Sequence, residues 1–215
     1  SAFGAKLIDQ PAMTAVVADL ALESEAATVT GLRLARAHDE DANDQERAFR
    51  RLATAVAKYW ICKRGPEHSY EAMECLGGPG YVEETGLPRV YREAPLNSIW
   101  EGSGNVNALD LLRALGKEPA SLNAWLAEVG AVRGNDARFD AAVTGVLDQL
   151  TRDPSQLEAQ ARLLAERMAL LLQGSILMQN APNEVADAFV ATRLGPGGAP
   201  RTFGAYDTQI DVDAL

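Results

Sequence analysis

Between Phe49 and Tyr59 the large apolar side chains fall at steps of three, four and three residues: Phe49, Leu52, Val56, Tyr59. That is the repeat of one face of an α-helix, not the two-residue alternation of a strand. The same spacing recurs along most of the chain, and no run alternates Val, Ile or Thr with polar residues. A chain patterned in this way must bury its stripes helix against helix. The expected fold is therefore all-α: a helical bundle to about residue 116, then an additional helical portion.

The breakers place the individual helices. A first helix is expected to run from Pro11 to near His38, with Pro11 in its first turn and Asp9 as a cap. Its inward positions read as Met13, Val16, Val17, Leu20, Ala27 and Leu34, with Ala21, Ser24 and Gly31 allowing close packing. A second helix begins after Asp44, is bent or reset near Gly65-Pro66, and stops at Gly77-Gly78-Pro79-Gly80, which is read as unable to stay helical. A short helix or turn covers Leu87 to Glu93. A third long helix starts near Asn105, faces inward with Val106, Leu109, Leu112 and Leu115, and stops at Gly116. Weaker helices follow at about 121–130 and 136–151. A strong one starts from Asp153-Pro154, with Leu157, Ala161, Leu164, Met168, Leu171 and Ser175 on one stripe. Pro182 opens a last helix ending at Leu194, and the Gly- and Pro-containing tail from Gly195 reads as irregular.

Charge and composition exclude several roles. The net charge is −10. Residues 1–116 carry 12 basic and 17 acidic side chains, residues 117–215 carry 8 and 13, so each part is −5 and neither is a basic arm. DNA binding through phosphate neutralisation is therefore not expected. Lys58, Lys63 and Arg64 form the most basic spot. The apolar runs are too short to span a membrane and no leader is evident, so a cytoplasmic protein is expected. Cys62 and Cys75 read as buried thiols in a reducing compartment. They share no metal-ligand spacing with His38 or His68, and no metal site is expected. His38 lies where a helix C-terminus favours a cation.

Two stretches carry candidate chemistry. In YREAPLNSIWEGSGN, Glu101 follows Trp100 directly and sits inside a Gly-Ser-Gly loop. As a general base, it would be desolvated by Trp100 and raised in basicity, Gly102 and Gly104 would admit a ligand close to the backbone, and Ser103 would cap the next helix. The pattern by itself points first to an acid that merely favours a helix N-terminus. In GGPGY, residues 77–81, the alternatives are a turn facing phosphates and a plain helix stop.

Taken together the motifs resemble the C-terminal helical domain of the acyl-CoA dehydrogenase family, in wording close to its AidB-type, alkylation-response branch. They are SAFGAKLIDQ at the start, EAMECLGGPGY, and YREAPLNSIWEGSGN. The resemblance spans nearly the whole chain and is strongest through residue 116. It implies a bundle over 1–116, a helical extension over 117–215, and an FAD-dependent oxidoreductase acting on an acyl-CoA thioester. Glu101 falls where many members keep the base that removes the α-proton. Ser103 and Asn105 fall where the family contacts flavin adenine dinucleotide of the same subunit. Phe3, Leu7, Gln10, Glu74, Gly77 and Gly78 fall where it touches the flavin of a neighbouring subunit, so a homo-oligomer, dimer or tetramer, is implied. There are departures: Glu74 stands where glutamine is common, Gln10-Pro11 replaces a His-Gln or Phe-Gln pair, and Glu93 replaces an Asp. The family's opening arginine is missing before Ala2, and the chain reads as a fragment, inactive alone, of a protein with further domains. The competing readings are a helical oligomerisation module and a DNA-binding alkylation-response protein without dehydrogenase activity.

Overall fold

A computed structural model describes residues 4–198 and Phe203. Among these residues there are ten α-helices and no strand. They are α1 (Pro11–Arg36), α2 (Asp44–Glu74), α3 (Gly78–Tyr81), α4 (Leu87–Glu93), α5 (Gly104–Lys117), α6 (Pro119–Gly130), α7 (Ala137–Leu150), α8 (Pro154–Ala159), α9 (Ala161–Asn180) and α10 (Asn183–Arg193). The expected all-α bundle is present, with boundaries close to those read from the breakers.

The helix ends follow from local chemistry. Pro11 occupies the first turn of α1, where its missing N–H costs nothing. Asp9 does not cap it; Asp9 closes a short 3-10 turn, and the cap position belongs to Gln10. Asn43, Asp136 and Asp153 cap α2, α7 and α8, each side-chain oxygen accepting from backbone N–H groups of the first turn. Pro66 lies inside α2 without ending it. Gly77, at φ 61°, stops α2, but Gly78–Tyr81 then forms a single helical turn rather than a non-helical loop. The strong helix expected from Pro154 is two helices, α8 and α9, separated at Gln160.

Two inward faces differ from the apolar reading. In α1 the buried positions are Ala18, Asp19, Leu22, Glu23, Ala26 and Thr30, whereas Met13, Val16, Val17, Leu20, Ala27 and Leu34 are only partly buried. The carboxylates turn inward because a cation meets them. Arg193 of α10, itself buried, donates to Asp19 and lies 3.4 Å from Glu23, and Arg64 of α2 reaches Glu23 at 3.3 Å. The small residues Ala21, Ser24 and Gly31 are exposed. In α5 the inward residues are Ala108, Leu111 and Ala114, while Val106 and Leu109 are 56% and 46% exposed. Alanine on that face lets α5 lie close along α2, which large side chains would prevent.

One core joins the two portions of the chain. Leu22, Phe49, Leu52 and Leu111 belong to the same cluster as Trp125, Phe139, Leu164, Met168, Leu171 and Phe189. The hub is α9, which is buried all round from Met168 to Leu177 and packs on α1, α2, α5, α6, α7 and α10. Arg33 adds a polar tie. Its guanidinium lies 4.2 Å over the Phe49 ring and donates to both Glu46 of α2 and Glu128 of α6.

Candidate functional site

The loop that carries Glu101 is built on the middle of α2. After α4, a 3-10 turn over Ala94–Ser98 leads into residues 99–103. The carbonyl of Leu96 accepts from the N–H groups of Ile99 and Trp100, at 2.9 and 3.1 Å. Glu101 then adopts φ 53°, a left-handed backbone that no other non-glycine residue shows among the described residues, and Gly102 follows at φ 97°. These two residues swing the chain into α5. Left-handed geometry costs a non-glycine residue on the order of 1 kcal/mol, so the surroundings must hold it. They do so from two sides. Lys58 of α2 donates through Nζ to the carbonyls of Asn97 (2.6 Å) and Gly102 (3.3 Å). Asn107, one turn into α5, donates to Gly102 O at 2.6 Å and Ser103 O at 3.1 Å. Ser103 occupies the cap position of α5, but its hydroxyl makes no capping bond. Gly104 is buried against Lys63: a Cβ there would lie 2.6 Å from Lys63 Cε.

Trp100 does not dry Glu101 within this chain. The indole is 57% exposed and Glu101 is exposed as well. Any desolvation of the carboxylate must come from something that covers this face.

Asn105 stands two residues beyond Ser103 on the first turn of α5. Its Oδ1 accepts from Arg162 of α9 at 3.0 Å, and the Arg162 guanidinium lies 5.8 Å over the Tyr59 ring. With Oδ1 engaged, the Asn105 amide nitrogen is the group left to donate to a ligand. Glu101, Ser103 and Asn105 thus form one group.

Glu74, Gly77 and Gly78 form a second group at the C-terminal end of α2. Glu74 is 16 residues beyond Lys58, roughly 24 Å along a helix. The exposed Glu74 carboxylate accepts from the Tyr70 hydroxyl, one turn back, and this bond raises the tyrosine pKa. Glu71 is also held above the usual carboxylate range, first by burial, then by the charges of Glu74 and Asp19. This end of α2 is therefore acidic. Gly80 packs onto it so closely that a Cβ would lie 2.0 Å from Met73 O. Helix α1 runs antiparallel to α2, with Arg33 beside Glu46 and Glu23 beside Arg64. That register brings the α1 entrance, with Leu7 in the 3-10 turn and Gln10 at the cap, to the level of the α2 end. Phe3 lies outside the described residues.

The remaining titratable candidates have structural roles. Cys62 and Cys75 are half-buried free thiols, and burial pushes both upward in pKa. The His38 ring meets the carbonyl of Leu34, 2.9 Å away, at the end of α1. His68 packs edge-on against Phe203, and burial lowers its pKa. No cluster able to hold a metal ion occurs among the described residues. None of their helices is long and apolar enough to cross a membrane. What the motifs did not reveal are the supports Lys58, Asn107 and Arg162. Lys58 drew notice only as part of a basic spot, because its carbonyl partners lie 39 and 44 residues away.

Comparisons with known proteins give the family. Residues 1–116 match the family model of the acyl-CoA dehydrogenase C-terminal domain. AidB of Escherichia coli (strain K12), a protein of acyl-CoA dehydrogenase type, is 42% identical over 213 residues, covering 99% of this chain and 38% of AidB. Acyl-CoA dehydrogenase family member 11 of Caenorhabditis elegans is 32% identical over 175 residues, 73% of this chain and 28% of that protein. The crystal structure of C. elegans ACDH-11 in complex with C11-CoA superposes with a TM-score of 0.80 at 24% identity, over 90% of this chain and 38% of that one, a likeness of fold. The chain spans little more than a third of AidB. With a domain model matching more than half of its length, the chain belongs to the acyl-CoA dehydrogenase family.

Proposed function

We propose that this chain is the C-terminal part of an FAD-dependent acyl-CoA dehydrogenase of AidB type, and that Glu101 is its catalytic base. The observation that carries this reading is the backbone of Glu101. A carboxylate is held in a left-handed turn by Lys58 and Asn107, on an open face, at the position where family resemblance expects the base. Among the described residues Glu101 has no salt-bridge partner, and an exposed charge on a backbone so clamped has no evident task in folding.

The residues at α5 suit the cofactor. Ser103 offers a hydroxyl without a capping bond, Asn105 offers an amide N–H, and Gly102 and Gly104 remove side chains from the approach. These groups would hold the flavin of the same subunit. Leu7, Gln10, Glu74, Gly77 and Gly78, with Phe3, would face the flavin of a neighbour, Glu74 turned away from its phosphates toward Tyr70. The flavin supplies the acceptor for the hydride that leaves the β-carbon. The task of this chain is to place the Glu101 carboxylate against the α-carbon and take its proton. Closure of this face by cofactor and thioester would exclude water and strengthen the carboxylate as a base.

Self-association fits the surface. Eleven of the fourteen exposed large hydrophobics among the described residues lie between Tyr70 and Leu109, including Tyr81 (77%), Ile99 (61%) and Trp100 (57%). Such a concentration marks a face meant to be covered, here by a second subunit, the flavin and the rest of the polypeptide. The location would be cytoplasmic.

Glu101→Gln in the full-length protein tests the assignment. The variant keeps size and backbone strain but loses the base. Turnover of acyl-CoA should fall by roughly a hundredfold or more while the flavin spectrum stays nearly unchanged. Undiminished turnover would remove Glu101 from the chemistry.

A further inference from the structure

Lys58 lies on α2, outside all three sequence motifs, yet its ammonium bridges the two ends of the segment that displays Glu101. It donates to Asn97 O, four residues before Glu101, and to Gly102 O, one residue after. The carbonyl of Gly102 is shared with the amide of Asn107. The bonds therefore converge on the strained pair Glu101-Gly102, and a loop so tied cannot relax its left-handed turn without breaking them. Among the described residues Lys58 forms no ion pair with a carboxylate; its bonds are to these main-chain oxygens.

We propose that Lys58 is a positioning residue for the proposed base: it fixes the backbone of residues 97–102 so that the Glu101 carboxylate is presented at one place. The proposal rests on the reading of Glu101 as the base. The juxtaposition behind it is one lysine reaching both carbonyls that flank a left-handed glutamate. Effects of this kind are large for small displacements, since reacting groups misplaced by an ångström lose up to about a hundredfold.

The test uses the full-length flavin-loaded protein with Lys58→Met, Lys58→Arg, Glu101→Gln and the Lys58→Met/Glu101→Gln double variant. Lys58→Met should lower kcat about tenfold with KM nearly unchanged. Lys58→Arg, which can still donate to both carbonyls, should restore part of the rate. The double variant should be no slower than Glu101→Gln alone, because Lys58 acts through Glu101. In this chain by itself, Lys58→Met should speed hydrogen exchange at the amides of residues 99–103 while α2 stays protected. If Glu101→Gln has no effect, the base assignment fails and this proposal falls with it. If Glu101→Gln is slow but Lys58→Met is not, or the two losses multiply in the double variant, the positioning role alone is refuted.

Discussion

Arg193→Met should show how α10 is held to the rest of the bundle. The Arg193 side chain is 2% exposed and Asp19 1%, with Glu23 at 7%. Methionine replaces the stem but withdraws the Arg193 cation from buried Asp19. Removing one member of a buried ion pair costs about 3–5 kcal/mol. The lower end applies here, since Glu23 keeps Arg64 at 3.3 Å. With a urea slope of roughly 2–3 kcal/mol per molar for a chain of this size, about 3 kcal/mol lowers the midpoint by ~1–1.5 M. Equilibrium urea unfolding followed by circular dichroism measures the shift. The double variant Asp19→Leu/Arg193→Met removes both charges, and it should recover most of the loss, because apolar replacement of a buried pair is often near neutral. A single-variant shift under ~0.3 M would refute the reasoning, since the pair would then not be deeply buried. A double variant no better than the single would assign the loss to packing of the arginine stem.

Three further outcomes are expected. Burial holds the folded-state pKa of His68 below its ordinary value of about 6.5, against a weaker opposing pull from Glu23; the unfolded chain then takes a proton that the folded chain refuses, so stability should fall as pH drops from ~6.5 toward the folded value, and His68→Gln should flatten that part of a stability–pH curve. Gly80→Ala drives a Cβ to 2.0 Å from a main-chain oxygen and should cost about 2 kcal/mol in denaturant melts, whereas Gly104→Ala meets a lysine methylene that can swing aside and should cost less than half as much. A chain ended at residue 116 loses Trp125, Phe139, Leu164, Met168, Leu171 and Phe189 from the shared core and should melt without cooperativity; a sharp transition would show that 1–116 folds by itself.

The helix positions were legible because their ends carry local signals: Pro11, Asn43, Asp136, Asp153 and Gly77 act within a turn of themselves. The α2 stripe was legible because Phe49, Leu52, Val56 and Tyr59 are apolar and buried. The α1 face was not, since Asp19 and Glu23 go inward only when Arg193 arrives from more than 160 residues away. Hydrophobic periodicity has no term for a paired charge. In α5 the same reading favoured large residues over Ala108 and Ala114, although close helix approach selects the small ones. Glu101 was visible as an acid in an unusual setting, but its backbone angle and the lysine beneath it depend on three segments meeting. Trp100 shows the reverse error: adjacency in sequence suggested shielding, and the two side chains are both open to solvent.

The left-handed turn at Glu101 also bears on how the chain can drift over generations. Glycine fits that backbone without strain, and asparagine or aspartate fits it better than glutamate does. A single base change converts a glutamate codon to one for glycine or aspartate. Random mutation filtered only for stability would therefore empty this position of glutamate. Wherever the carboxylate falls out of use, glycine, aspartate or asparagine should replace it early, ahead of the motif residues around it. The residue found at 101 in descendants of this chain would then record whether their chemistry was still under selection.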